Sequence, residues 1–304
     1  MRVFYSELSA NPSLYSFGYS VYGELEPGDD LGTYYEQGFL PFVGTETQQG
    51  KYVYMGRGTR LLVPEFAERH YHARVRRKAS TLGTIRMILH TLDSFPITDI
   101  FIQFVLRYFR FRFGADAMPE ARLRMMLRSG FVTHIREFSC QGKPVAYILE
   151  VHGKDFVHTW YHAYAHELEG THAGVLLYLD LIKDLQTKGT KYLYLGITCG
   201  RWMEYKTNFQ PLEYWDGCMW VHDPKSTKLK QLLKADSTRL LTGTDPWRDA
   251  HVPFYRAAYP YTGLRFEFRI IELVFVGLPR TAKLVLIVFS LLVLVLVGSV
   301  LHLW

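Results

Sequence analysis

The sequence predicts an α+β (α/β) protein with a mixed strand-and-helix core, an N-terminal α+β extension before it and a membrane-spanning helix at the C-terminal end. Three observations predict this. Between Phe131 and Ile197 the patterns follow in the order strand, strand, strand, helix, strand. From Leu284 to Trp304 the chain reads "LVLIVFSLLVLVLVGSVLHLW", 21 residues without a formal charge. Hydrophobic residues make up 48% and aromatics 15% of the 304 positions, enough for a large core and against global disorder. The expected divisions are 1–115 for the N-terminal region, 116–278 for the core and 279–304 for the anchor.

Each element has its own signature. In "SLYSFGYSVYGEL", Tyr15, Phe17, Tyr19 and Val21 recur at period two, the pattern of a strand. "EPGDD" (Glu26–Asp30) is a turn by composition. "LGTYYEQGFLPF" reads as a short helix stopped near Gly38, and "GKYVYMGRGTRLLVP" as two strands around Gly56 and Gly58. "EFAERHYHARVRRKAS" is helical and strongly basic. In "DIFIQFVLRYFRFRFGADAMP", Phe109, Phe111 and Phe113 alternate with Arg110 and Arg112. That fits a strand end, and an amphipathic segment on a membrane surface is the alternative. "MPEARLRMMLRSG" is a helix ended by Gly130.

"VTHIREFSCQGKPVAYILEVHG" then gives two strands around the turn "QGKP", and "DFVHTWYHAYAHE" gives a third. "GVLLYLDLIKDLQTKG" is a helix between Gly174 and Gly189, "KYLYLGI" a fourth strand, and "DPKSTKLKQLLKADSTRLL" one more basic helix. The final apolar run would span about 31 Å at roughly 1.5 Å per residue, matching a hydrocarbon core of about 30 Å. Pro279 precedes it, Arg280 and Lys283 flank its start, and Trp304 suits the opposite interface. The positive-inside rule then places the preceding domain in the cytoplasm, on the inner membrane.

The chemistry is bounded by what is written and what is missing. A formal net charge of +6 favours an anionic partner, nucleic acid or lipid. Cys140, Cys199 and Cys218 form no C-x-x-C, so reduced thiols are expected rather than a zinc ribbon or redox pair. The N-terminus has no apolar run of the secretory kind. His158, His162 and His166 share a face whether on a strand or a helix, but "HELEGTH" is not H-E-x-x-H. A polar, aromatic cleft wall or surface histidines are favoured over a metal site, and no cofactor is expected. Gly174, at a helix start, would present backbone N–H groups to an anion. The pyrophosphate loop Q/R-x-x-G-x-G/A of acetyl-CoA enzymes is not written here. Nor is there a serine elbow, P-loop or dinucleotide fingerprint, so hydrolase, kinase and dehydrogenase readings lack support.

Strand, strand, strand, helix, strand is the order of a GNAT-type acyltransferase core. Within it, "KYLYLGITCGRWMEYKTNFQPLEYW" (Lys191–Trp215) resembles the closing motif of arginyl-tRNA–protein transferases and their leucyl-transferring bacterial relatives. That motif runs strand, Leu-Gly, then roughly C-x-K-M-x-Y-K-x-x-F/Y-x-P. Leu195-Gly196, Met203, Tyr205, Lys206, Phe209 and Pro211 fall at matching places. "YYEQGFLPFVG" and "GTRLLVPEFAERHYHARVRRK" resemble two N-terminal blocks of the family, so the likeness covers most of residues 34–216 in separate pieces. The chain departs from the pattern at Trp202, where the family has lysine, and at Cys199, one place off. The family's N-terminal cysteine cluster is absent.

The resemblance implies an aminoacyl-tRNA as co-substrate and an amine, such as a protein N-terminus, as acceptor. The ester is already activated, so positioning, oxyanion stabilisation and removal of a proton from the amine are the tasks left. Lys206 would hold a phosphate or the oxyanion, and Tyr205 would orient the ester or relay a proton. Glu150, at a strand end, would meet the acceptor amine. Arg60 and the run Arg76, Arg77, Lys78 would grip RNA phosphates, while Tyr192 and Phe209 would stack on a base or the donor side chain, with Met203 beside them. A surface Lys206, a solvated basic helix face and a core Tyr192 are the plainer alternatives. Three functions remain open: a membrane-tethered aminoacyl-tRNA-dependent transferase, an acyltransferase of the same fold with another activated donor such as an acyl-CoA, and a non-catalytic membrane adaptor.

Overall fold

A computed structural model describes residues 2–5, 21–43, 51–79, 83–114, 117–168 and 171–241. The strand pattern at Tyr15–Tyr19 and the apolar run at 284–304 lie outside these residues. Among the described residues no helix is long and apolar enough to cross a membrane.

The N-terminal strands β1 (Arg2–Tyr5), β2 (Val21–Leu25), β3 (Phe39–Phe42) and β4 (Lys51–Met55) form an antiparallel sheet in the order β1-β2-β4-β3. Helix α1 (Leu31–Glu36) starts where Asp30 Oδ2 accepts from the Thr33 N–H at 2.9 Å, a side-chain cap on a free helix donor. It ends at Gly38, whose φ is +77° and whose missing Cβ leaves room for the Trp215 ring.

The larger sheet has eight strands. They are β5 (Gly58–Leu62), β6 (Ile85–Thr91), β7 (His134–Cys140), β8 (Lys143–His152), β9 (Phe156–Tyr164), β10 (Tyr192–Ile197), β11 (Leu212–Trp215) and β12 (Trp220–Asp223). Their order is β12-β11-β5-β10-β9-β8-β7-β6. All neighbours are antiparallel except β9 and β10. Helix α5 (Ala173–Thr187) connects that parallel pair, as parallel neighbours require. The expected strand–strand–strand–helix–strand order is therefore β7, β8, β9, α5, β10. The position 115/116 falls between α3 (Asp99–Phe113) and α4 (Glu120–Arg128), and strands from both sides of it share the large sheet.

Two layers cover this sheet. Helices α2 (His70–Ala79), α5 and α6 (Thr227–Leu241) lie on one face, where Val75, Leu177, Leu181 and Leu229 pack on Leu61, Phe138, Ile148 and Leu193. On the other face α3 and α4 pack on Ile135, Tyr147 and Leu149, and the small sheet packs on Val151, Phe156 and Tyr194.

The segment expected to end in a strand is α3. Thr98 accepts from the Phe101 N–H at its start, and Gly114 at φ +98° ends it. Its buried residues, Phe101, Ile102, Val105, Leu106, Tyr108 and Phe109, recur at helical spacing. The Phe/Arg alternation is confined to the last five residues and is outweighed by the nearly three turns before it. The apolar face packs on β9 and α4 within the core, so it is not left for a membrane surface. Strands β3, β6, β11 and β12 had no sequence expectation: each is short or carries polar residues that interrupt the alternation.

One ionic network ties the sheet to α5. Arg136 and Glu150, 1% and 0% exposed, pair through Nε–Oε1 at 2.5 Å and Nη2–Oε2 at 3.1 Å. Arg136 Nη1 also donates to Asp184 Oδ2 at 2.8 Å, and His152 Nε2 lies 2.7 Å from Glu150 Oε2. Burial alone would raise the Glu150 carboxyl, but the His152 hydrogen bond and the Arg136 charge outweigh it and hold it below the ordinary range. A carboxyl lowered on folding stabilises above its unfolded pKa, and that stabilisation is lost as pH falls through the folded value. Arg136→Met strands a buried carboxylate and is expected to cost about 3–5 kcal/mol at pH 7. Urea unfolding across pH checks this: the difference from wild type should shrink below about pH 4, the range where carboxylates protonate, and a constant difference would contradict the network.

Candidate active site

Strands β9 and β10 run parallel for only three pairs, Phe156–His158 against Tyr192–Tyr194. Beyond them β9 continues beside β8 to Tyr164, while β10 continues beside β5 to Ile197. The Thr159 hydroxyl makes the last link, donating to the Tyr194 carbonyl at 3.2 Å and accepting from Tyr178 at 3.0 Å. The β10–β5 register shifts between Tyr194 and Gly196, and Gly196 has φ +75°, the geometry of a bulge that bends its strand. The two strands therefore part at their C-terminal ends, and this fork is the candidate cleft, the place where ligands of open α/β sheets gather.

Lys206 enters this cleft from the 3-10 turn Arg201–Asn208. Its side chain is buried, 7% exposed, and Nζ donates to the Ile197 carbonyl. Loss of water lowers its pKa to about 7, because burial penalises the charged form. His158, 1% exposed, faces it: a Cβ placed on Gly196 would lie 3.4 Å from His158 Nε2 and 3.9 Å from Lys206 Nζ. His158 Nδ1 is 2.8 Å from the hydroxyl of Tyr35. Burial, then the Lys206 charge, push His158 down to about 3, so its imidazole is neutral at physiological pH. His162, four residues further along β9, pairs with Ile148 where His158 pairs with Val151, so the two point to opposite faces of the sheet. His162 is pushed down to about 4 by burial, with Lys206 and Arg112 adding to the effect. Tyr108, Tyr164 and Tyr178 surround His162 with centroid distances of 5.9–6.2 Å. The segment is a strand as expected, but its bulge opposite Glu150 puts His158 and His162 on opposite faces, and His166 lies beyond it in a 3-10 turn, which corrects the expectation that the three histidines share one face. Among the described residues no group of His, Cys, Asp and Glu has metal-site geometry.

The motif residues are held around Lys206 by identifiable contacts. Met203 Sδ accepts from the Cys199 N–H, and half-buried Tyr205 packs against the helix-side core. Phe209 is 0% exposed, between His72 and Tyr178. The expectation that it stacks on a base is corrected by this burial: it anchors the loop in the core. Gly174 lies in the first turn of α5, with Tyr164 3.7 Å from where its Cβ would be.

Other expected residues lie apart. Glu150 is enclosed by Arg136 and His152, so the structure gives it the network role described above instead of contact with an acceptor amine. Arg60 is buried and held by Glu213 at 2.7 Å, Glu36 at 2.8 Å and Tyr194 at 2.9 Å, with its guanidinium 3.9 Å from the Tyr192 ring and 4.3 Å from Trp220. A guanidinium so enclosed is a cross-link between the sheet and α1, which corrects its assignment to RNA phosphates; half-buried Tyr192 is its stacking partner. Arg76 binds Glu68 and Asp180, whereas Arg77 and Lys78 are exposed. Sequence reasoning missed Tyr35, because the contact that matters joins positions 123 residues apart.

A family model described as an acetyltransferase (GNAT) domain matches residues 67–207, the span from α2 to the Lys206 turn. The protein has a mixed α/β, GNAT-like fold with a large sheet. No curated protein matches the chain. Among solved structures, the chain is similar to the C-terminal domain of a protein from Agrobacterium fabrum described as a lysylphosphatidylglycerol synthetase. The two are 13% identical over 69% of each chain, with a TM-score of 0.39. It is also similar to L-PGS from Bacillus licheniformis, 14% identical over 56% of this chain and 51% of that one, with a TM-score of 0.34. At those scores the likeness bears on neither substrate nor partner.

The lowered Lys206 pKa has a definite sign. Between about pH 7 and the ordinary lysine value near 10.4 the unfolded chain binds the extra proton, so stability rises with pH across that window. Lys206→Met removes a buried charge. It is expected to stabilise the fold at pH 6 relative to wild type, with the advantage fading by about pH 10. Thermal midpoints measured across pH test this, and a pH-independent difference would place the ammonium in water.

Proposed function

We propose that the protein is an aminoacyl-tRNA-dependent transferase that moves an amino acid from the ester at the tRNA end to an amine. Residues 284–304 would anchor it in the inner membrane, with the domain facing the cytoplasm. The observation that carries the reading is the placement of Lys206 Nζ beside Gly196 where β9 and β10 part, inside a loop whose spacing resembles that of the tRNA-dependent transferases. In the reaction the amine nitrogen bonds to the ester carbon, the carbon–oxygen bond to the ribose breaks, and the proton lost by the amine ends on the leaving oxygen. Holding the two substrates together supplies much of the rate. Lys206 as an ammonium stabilises the charge that develops on the carbonyl oxygen, and an arriving anion favours that protonated form.

Exposed cations suit an RNA partner. Arg74, Arg77 and Lys78 on α2 and Lys228, Lys230 and Lys234 on α6 are exposed on helices of one layer. The second reading keeps the same cleft with an acyl-CoA donor, and the description of the matching family favours it. The chain written before α5, "HELEGTHAG", lacks the glycine-rich loop that cradles a pyrophosphate, which favours the first.

The full chain in vesicles, given a mixture of labelled aminoacyl-tRNAs and peptide or lipid amines, is expected to transfer label to an amine. External protease should digest its domain in inverted vesicles and spare it in intact cells. Transfer from acyl-CoA alone would establish the second reading, and no transfer from any donor would favour a non-catalytic adaptor.

Arg77→Ala with Lys78→Ala is expected to weaken tRNA binding across sequences and to flatten the salt slope by up to about two phosphate contacts, roughly 0.7–0.9 each. Arg76 is left intact because its carboxylate partners hold it. An unchanged slope in the folded variant would make α2 a solvated face.

A further inference from the structure

We infer that His158 is a second catalytic group of this cleft: its Nε2–H donates a hydrogen bond to the substrate oxygen that gains negative charge during acyl transfer, and Tyr35 is the positioning residue that fixes the imidazole for this task. The inference rests on the acyl-transfer reading of the cleft but not on the identity of the donor.

The tautomer follows from hydrogen-bond satisfaction. Tyr35 is 1% exposed, and among the described residues its hydroxyl has one hydrogen-bond partner, His158 Nδ1 at 2.8 Å. A buried hydroxyl proton needs an acceptor, so the hydroxyl donates to Nδ1. Nδ1 is then the unprotonated nitrogen and Nε2 carries the hydrogen. Burial raises the Tyr35 pKa well above its ordinary value, so the phenol keeps its proton. That leaves His158 Nε2 as a buried donor without a partner. Such a group in a native fold calls for an explanation, and an absent acceptor is one.

The surroundings identify that acceptor. An atom at the Cβ position of Gly196 would meet His158 Nε2 at 3.4 Å and Lys206 Nζ at 3.9 Å, and among the described residues, its two chain neighbours apart, nothing else within 4 Å. Gly196 itself is half-buried, and His158 Nε2 and Lys206 are buried. Two nitrogen donors converge there, Lys206 Nζ, which also donates to the Ile197 carbonyl, and His158 Nε2, which has no partner, an arrangement suited to an oxyanion. A neutral imidazole can donate without bringing a second positive charge beside Lys206, and the depressed pKa of His158 keeps it neutral. In the transfer, the amine lone pair forms the new bond to the acyl carbon while the carbonyl π pair moves onto the oxygen in the notch. That pair returns as the bond to the leaving oxygen or sulfur breaks, the proton lost by the amine ends on that leaving group, and His158 gives up no proton. Glycine at 196 leaves the space empty, while any side chain would fill it.

Long-range proton–nitrogen NMR of histidine-labelled full-length protein should show His158 protonated at Nε2 and bare at Nδ1. Protonation at Nδ1 would overturn the inference. Formate, a small oxyanion, should perturb the Nε2–H signal in wild type and not in Gly196→Ala. With whichever donor is active, His158→Phe should lower the single-turnover rate at saturating donor by about 10²–10³-fold with half-saturation unchanged. His158→Gln, which keeps an N–H, should recover part of it. Tyr35→Phe should shift the tautomer ratio and lower the rate with it. A rate that falls only with the folded fraction, or that Gln does not rescue, would make His158 structural. Absence of transfer from every donor would remove the functional reading alone, and the tautomer and formate responses would still decide whether the notch binds an oxyanion. No formate response would count against it.

Discussion

The site depends on the divided loyalty of strand β10, which pairs with β9 for three residues and then keeps only β5. A strand bonded on both sides throughout would close the sheet and leave no cleft. The register shift before Gly196 bends β10 away, and the Thr159 hydroxyl replaces the next ladder bond to Tyr194. Past that point the Ile197 carbonyl accepts from Lys206. The lysine is therefore drawn into the interior by the irregularity that opens the space in front of it.

The loop that delivers Lys206 is fixed along its length, and this gives the motif spacing a mechanical meaning. Met203 meets the backbone of Cys199, Lys206 that of Ile197, and Phe209 enters the core. Pro211 accepts from the Leu62 N–H with its carbonyl. From the other side, His72 Nε2 donates to the Asn208 carbonyl at 3.1 Å, and Arg69 reaches Asn208 and Gln210 at 2.9 Å and 2.6 Å. Helix α2, read from the sequence as a basic surface, thus has one end built as a clamp on the loop.

Local signals were legible and distant ones were not. Strands β7 to β9, helix α5 and strand β10 each carry their own period and turn residues, so their order could be read directly. Helix α3 was misread because its last turn alternates Phe with Arg while its earlier turns carry the helical stripe. That β5 sits between β10 and β11 leaves no trace in local pattern, since register across some 130 residues is set by the whole sheet. The same holds at the site. Lys206 was visible through motif spacing, and His158 through the histidine-rich strand, but Tyr35 lay in a segment with no chemical signature. Charge alone misled at Arg60 and Glu150: residue type says nothing about whether a partner waits within 3 Å.

The position of β5 also sets a timetable for the growing chain. Its residues leave the ribosome early, yet both of its neighbours are encoded about 130 residues or more downstream. At roughly 5–20 residues per second, the strand waits on the order of 7–25 s before either edge can be covered. During that interval "GTRLL" presents two open edges, a template for pairing with another chain. The central position that later protects β5 from both sides makes it the inner strand that waits longest for its neighbours, so assembly of the cleft is tied to synthesis through Trp215.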